Sequence, residues 1–161
     1  MRKLFAVVIV GAILSFASVQ TTQAQVLKKG TSIVDAGLGL GWAISPFVGY
    51  EYGLTDKIGV GRFGLGGTVS AALYSGGTWL TIGPEVRYHF DFGTFPPKDW
   101  DLFAGLGLYY YNWLGYSGDY TPLYFGYHIG GRYYFSEKLG ATVLLGGGGG
   151  FGVSIGISFK L

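Results

Sequence analysis

Residues 151–161 read FGVSIGISFKL, and in this stretch every second residue is bulky and apolar while those between are small or polar. Val153, Ile155, Ile157 and Phe159 take one parity, and Ser154, Gly156 and Ser158 take the other. A period of two is the signature of a β-strand, because successive side chains point to opposite faces of a sheet. The open question is the solvent on each face. In a soluble sandwich the bulky face packs on a second sheet and the other carries charge and threonine to water. A face of glycine and serine is not built for water.

The same pattern recurs upstream from Gln25. Val34, Ala36, Leu38, Leu40 and Trp42 alternate with Asp35, Gly37, Gly39 and Gly41; after Ser45-Pro46, Val48, Tyr50, Tyr52 and Leu54 oppose Gly49, Glu51 and Gly53. Thr55-Asp56-Lys57 is a tight-turn sequence. Phe63, Leu65, Val69, Ala71 and Leu73 form a third track, with Ile58 and Val60 on the wrong parity, which predicts either a bulge near Gly61 or a place at the membrane edge. Beyond Ser75-Gly76-Gly77 come Leu80, Ile82, Val86, Tyr88 and Phe90, then a longer connection, Asp91 to Asp99. A fifth track runs Leu102 to Tyr110, and Asn112 to Thr121 reads as a loop. Leu123, Phe125, Tyr127, Ile129, Tyr133 and Phe135 make a sixth. Leu139, Ala141, Val143 and Leu145 make a seventh, and residues 146–150, all glycine, lead into the last strand.

Eight strands follow, and their composition selects the surroundings. Of 161 residues 31 are glycine and 18% are aromatic, with only 12% charged. Glycine weakens ordinary strands, so this content needs a structural cause. A closed barrel in hydrocarbon supplies one: bulky residues face lipid, and small ones fit the narrow interior of an eight-stranded barrel. Closure is required because unpaired backbone groups find no water in a bilayer. The expected fold is therefore an all-β, eight-stranded, antiparallel up-and-down transmembrane β-barrel. Trp42, Tyr50, Tyr52, Tyr88, Phe90, Trp100, Tyr110, Trp113, Tyr133, Phe135 and Phe159 stand near strand ends, as interfacial aromatic girdles would. Glu51, Glu85, Arg87 and Arg132 fall on the glycine face, where they can pair.

Residues 1–24 read as a cleaved export signal: Arg2 and Lys3, the apolar run Leu4 to Leu14, and Thr22-Gln23-Ala24 before Gln25. Its removal leaves residues 25–161 as the barrel domain, with nine basic and nine acidic residues and no net charge. The basic balance of the whole chain thus gives no argument for nucleic acid. With no cysteine, a disulfide scaffold, a thiolate metal site and lipid attachment on cysteine are excluded.

Three segments, Ile82-Gly83-Pro84-Glu85-Val86-Arg87-Tyr88, Gly131-Arg132-Tyr133-Tyr134-Phe135-Ser136-Glu137-Lys138 and Ile155-Gly156-Ile157-Ser158-Phe159-Lys160-Leu161, carry a resemblance. The chain resembles the small Gram-negative outer-membrane β-barrel families, related in shape to outer-membrane proteins A and X, and looks most similar to the porin-like outer membrane protein beta-barrel domain. That resemblance implies the cell outer membrane as location and both termini in the periplasm. It further implies outer-membrane lipid and lipopolysaccharide as surroundings, and assistance from the barrel-assembly machinery, which in such families reads a terminal aromatic residue; here Phe159 stands two before Leu161. A monomer is expected.

Chemical motifs are sparse. Gly59-Val60-Gly61-Arg62-Phe63-Gly64 matches G-x-G-x-x-G, but a strand pattern follows where a dinucleotide fingerprint needs a helix. The glycines at 146–150 could cradle an anion or form a flexible loop. Glu51, Glu85, Arg87, His89, His128 and Arg132 are the lumen candidates. They admit a proton-linked gate, an anion-binding lumen, or a metal on His89 and His128 without a well-spaced third ligand. The weight falls on an interior salt-bridge network that pairs buried charges and fixes register. No catalytic residue, metal or cofactor is assigned. The expected function is an integral outer-membrane barrel with a structural or interaction role and at most limited passage of very small solutes. The alternatives are a lipid-modifying acyl hydrolase or acyltransferase, or a membrane subunit of an envelope complex contacting neighbours through Asp91 to Asp99.

Overall fold

The structure, a computed structural model, describes residues 27–41, 43–114, 122–147 and 152–161. The expected export signal at 1–24 lies outside the described residues. Eight strands follow in order: β1 (Ser32–Leu40), β2 (Ile44–Gly53), β3 (Gly61–Tyr74), β4 (Gly77–Phe90), β5 (Trp100–Leu114), β6 (Leu123–Tyr134), β7 (Leu139–Gly147) and β8 (Val153–Lys160). Each pairs antiparallel with its sequence neighbour, and β1 pairs with β8, from Ile33↔Lys160 to Leu40↔Val153, so the sheet closes without an edge. Closure leaves no row of unpaired backbone groups, which hydrocarbon could not satisfy.

Side chains alternate in burial as the period of two requires. In β2 all five even positions face out and all five odd positions are buried. Phe125 is 63% exposed and Ile129 59%, whereas Glu51 is 1% exposed and Arg132 fully buried. The oily set therefore points away from the barrel axis and the charged set toward it, the inverse of a soluble protein.

Several boundaries differ from the sequence reading. Ile58 and Val60 lie in the connection before β3, both outward and exposed, with Ile58 bridged to Gly61. Their parity is thus the mark of a strand's end rather than of a bulge. Asn112 belongs to β5, which continues to Leu114, opposite Thr78 to Leu80. Gly146 and Gly147 pair with His128 and Tyr127 as the end of β7, so they are strand; residues 148–150 lie outside the described residues.

Aromatics also sort differently. Tyr50, Tyr52, Tyr88, Phe90, Trp100, Tyr133, Phe135 and Phe159 gather on the outside toward the end that carries both termini, where Trp100 meets Tyr133 at 5.2 Å and Phe63 meets Tyr88 at 4.8 Å. Tyr110 alone of that set faces out toward the opposite end. Trp113 takes the parity of Tyr109 and Tyr111 and packs at a tilt against Trp79 at 5.1 Å, so it is no girdle residue. Trp42 lies outside the described residues.

Glycines make the interior. A Cβ on Gly130 would lie 2.5 Å from the Phe103 ring, and on Gly107 or Gly126 2.6 Å from the Tyr109 ring. Large lumen side chains lie flat on bare backbone of their own or the adjacent strand. The glycine excess is the space requirement of a small barrel filled by rings and guanidinium groups.

Candidate functional site: a layered lumen

From the terminal end inward, the lumen begins with an apolar floor. Leu27, just before β1, is fully buried against Gly53 and Gly64, and Ile33 and Tyr134 are at most 2% exposed. Lys160 lies 4.3 Å above the Tyr134 ring.

Above the floor lies an ionic layer drawn from six strands. Arg132 on β6 donates from Nε and Nη2 to Asp35 of β1 at 3.1 and 2.7 Å, from Nη2 to Glu51 of β2 at 2.7 Å, and from Nη1 to Asp101 of β5 at 3.0 Å. Arg87 on β4 forks onto Glu85 Oε2 at 3.0 and 2.7 Å and reaches Asp35 and Glu51 at 3.2 Å each. The Phe103 ring lies against both guanidinium groups, 5.1 Å from Arg87 and 4.5 Å from Arg132, a cation–π contact, while Asp35 Oδ2 and Glu51 Oε2 bridge the two like charges. Ser158 on β8 donates to Asp35 at 2.6 Å, and Tyr109 to Glu85 at 2.8 Å.

His89 completes the layer. Its Nδ1 is 2.7 Å from Asp101 Oδ1 and its Nε2 2.5 Å from Glu51 Oε1. Ionised carboxylates only accept, so with both neighbours ionised each ring nitrogen must carry hydrogen and the ring is an imidazolium. Four carboxylates then face three cations, leaving one negative charge in excess, which the Ser158 and Tyr109 hydroxyls help to hold. His128 stands apart: its Nε2 is 3.8 Å from Glu85, too far for a hydrogen bond, and has no hydrogen-bond partner among the described residues.

The structure thus brings Glu51, Glu85, Arg87, His89 and Arg132 into one bonded network and leaves His128 at its margin. The sequence reading omitted Asp35, Asp101, Tyr109 and Ser158, all on the inward parity. Among the described residues no group of three or more His, Cys, Asp or Glu could hold a metal.

Beyond the ionic layer Phe47, Phe103 and Leu144 pack together, and Tyr109 stacks on Tyr124 at 5.4 Å. Past them the lumen opens into a cavity of about 270 Å³. The barrel is therefore sealed in its terminal half and hollow in the other.

No protein-family model and no curated protein matches the chain. Among solved structures it is similar to the N-terminal β-barrel domain of OprF from Pseudomonas aeruginosa, with a TM-score of 0.63 and 20% identity over 83% of this chain and 98% of that one. A de novo designed transmembrane β-barrel gives a TM-score of 0.57 and 21% identity over 85% of this chain and 100% of that one. The attachment invasion locus protein Ail of Yersinia pestis gives 0.46 and 12%, over 83% and 99%. Fold and lumen together define an eight-stranded transmembrane β-barrel. With a designed protein among its neighbours, the likeness speaks for the architecture and not for an activity.

Proposed function

We propose that the chain is an integral outer-membrane protein of a Gram-negative cell, exported by a signal at residues 1–24, with a structural role and a lumen closed to ions. The observation that carries this reading is Arg132, fully buried, tying β6 to β1, β2 and β5 through three carboxylates. An open pore would leave these charges solvent-exposed and separated; here they are buried and bonded to one another, which favours a barrel braced across its axis.

Lipid and lipopolysaccharide surround the apolar band in this reading. No Lys or Arg among the described residues lies at the end opposite the termini, so lipopolysaccharide acts there as solvent rather than as a phosphate-bound ligand. The chain is proposed to be a monomer inserted by the barrel-assembly machinery, without nucleic acid. Catalysis on lipid is disfavoured because both His89 nitrogens are committed to carboxylates and His128 is buried in the lumen, away from the lipid-facing surface. Two measurements test the proposal. The purified barrel in a planar bilayer should be electrically silent, and a sustained unitary conductance from the unaltered chain overturns the closed lumen. A Gly76→Cys variant, in a chain with no cysteine of its own, should react with an impermeant maleimide on intact cells; labelling only after cell rupture overturns the location or the orientation.

A further inference from the structure

The cavity at the end opposite the termini is asymmetric. On one side β4, β5 and β6 contribute Trp79, Tyr111 and Tyr124, with Trp79 stacked on Tyr111 at 4.9 Å and Tyr111 tilted against Tyr124 at 5.2 Å. On the other, β8, β1, β2 and β3 contribute mostly small residues, among them Ser154, Gly39, Ser45 and Ser70, together with the rings of Phe47 and Tyr74. The hollow lies between the ring ladder of β4 to β6 and these short-stemmed hydroxyls. Ser154 is 1% exposed, yet its Oγ has no hydrogen-bond partner among the described residues. A buried hydroxyl left without a partner costs stability, so an occupant that supplies one is favoured.

Charge narrows the ligand. Every charged residue among those described lies in the ionic layer or at the terminal end, and none lines the cavity. An ion entering it would be desolvated with no charge among the described residues to pair with. An uncharged molecule with one apolar face and a polar edge matches both walls, and about 270 Å³ limits it to about one ring.

We propose that this cavity binds a neutral sugar ring, its C–H face laid on the Trp79–Tyr111 ladder and its hydroxyls received by Ser154, Ser45 and Ser70. The inference goes beyond the structural role and does not need the lumen to be closed. A ring of about a dozen heavy atoms at ordinary ligand efficiency implies millimolar affinity.

The test is titration of the folded barrel, in a detergent without a sugar head group, with neutral hexoses, their methyl glycosides, glucuronate, and benzyl alcohol. Tryptophan fluorescence and calorimetry supply the readout. At least one neutral hexose should saturate, with glucuronate about tenfold weaker or worse. Ser154→Ala should weaken binding about two- to tenfold without lowering thermal stability, since that hydroxyl has nothing to lose in the empty barrel. Trp79→Ala should weaken it about tenfold, and Ala72→Phe, which fills the hollow, should abolish it. Equal binding of a methyl glycoside marks the end ring of a glycan as the natural source; its rejection marks a free sugar. The idea is overturned if no neutral sugar binds, if glucuronate or benzyl alcohol binds as well as the best hexose, or if binding survives Ala72→Phe in a barrel that still shifts on heating.

Discussion

At the terminal end Lys57 and Arg62 clamp Asp91, Leu27 plugs the floor, and two guanidinium groups tie carboxylates from four strands together. At the opposite end β1 and β8 line the lumen with Gly39 and Ser154, and the described residues carry no charge at all. Both halves are threaded by the same eight strands with the same outward oily band, so hydrocarbon cannot have caused the difference. What differs is the task given to the inward parity. One half spends its inward residues on cross-barrel bonding, and the other leaves room. A barrel braced at one level has no need of packing at every level, which permits a hollow where packing would otherwise be demanded.

The sharpest way to break that contrast is to remove the brace. Arg132→Ala leaves Asp35, Glu51 and Asp101 buried without their shared cation, and breaking a buried pair costs about 3 to 5 kcal/mol. The barrel should unfold at much lower urea in detergent, and in electrophoresis the unboiled sample should run with the boiled one. Arg132→Ala at unchanged stability would show that backbone closure alone holds the barrel and that the ionic layer is dispensable. A second removal, Asp101→Asn, should add little to Arg132→Ala, because both act on one network.

How much of this was legible in the sequence follows from what each feature depends on. Parity is local, so the strands, the outward band and the inward sense of Glu51, Glu85, Arg87, His89, His128 and Arg132 could be read from alternation alone. Partnership is not local. Asp35 and Arg132 meet 97 positions apart because closure and strand stagger bring β1 and β6 level, and no pairwise pattern in the chain states that stagger. Asp101 was masked by its neighbours: following Pro97-Lys98-Asp99-Trp100, it looks like the end of a loop, although it shares the parity of Phe103. Trp113 shows the reverse error, since an aromatic residue at a strand end suits a girdle, and only counting from Tyr109 turns it inward. The hollow was invisible for a further reason. It depends on glycine and serine from four strands falling at one height, and each of those residues alone is an ordinary inward residue of a small barrel.

A smaller effect sharpens the same comparison through added rather than removed atoms. Gly130→Ala puts a methyl 2.5 Å from the Phe103 ring and 2.7 Å from Leu144 Cδ2, beneath the guanidinium groups. Overpacking there should cost about 1 to 3 kcal/mol. Gly39→Ala in the hollow half brings its methyl no closer than 3.3 Å, to Ser154 Oγ and Ser45 Cβ, with open space beside them. Its cost in the same urea titration should be under about 0.5 kcal/mol. Equal costs would mean that the cavity closes up in the folded barrel.

The smallest effect concerns the rim that anchors the charged half. Asp91 follows β4 and accepts from Arg62 Nη1 at 2.8 Å and from the Gly93 amide at 3.1 Å, with Lys57 Nζ 3.3 Å away. Burial pushes its carboxyl up, but the Gly93 amide and the Arg62 and Lys57 cations outweigh it and hold it below the ordinary aspartate value. A carboxylate so depressed contributes stability that is complete above its unfolded pKa and is lost as pH falls through the lower folded one. The β4–β5 connection should therefore stay docked at neutral pH and loosen only below about pH 4. These pairs are partly exposed, so the contribution is under about 1 kcal/mol and shrinks in salt. Amide exchange at Phe92, which bonds to the Phe95 carbonyl at 2.8 Å, reports it. Asp91→Asn at pH 7 should raise that exchange to the level the unaltered protein reaches in acid, while the Arg132 layer keeps the rest of the barrel unchanged. Loosening that spreads from Phe92 into β5 would show that the rim and the ionic layer unfold as one unit, and that the charged half is a single cooperative block rather than a brace with a separate clasp.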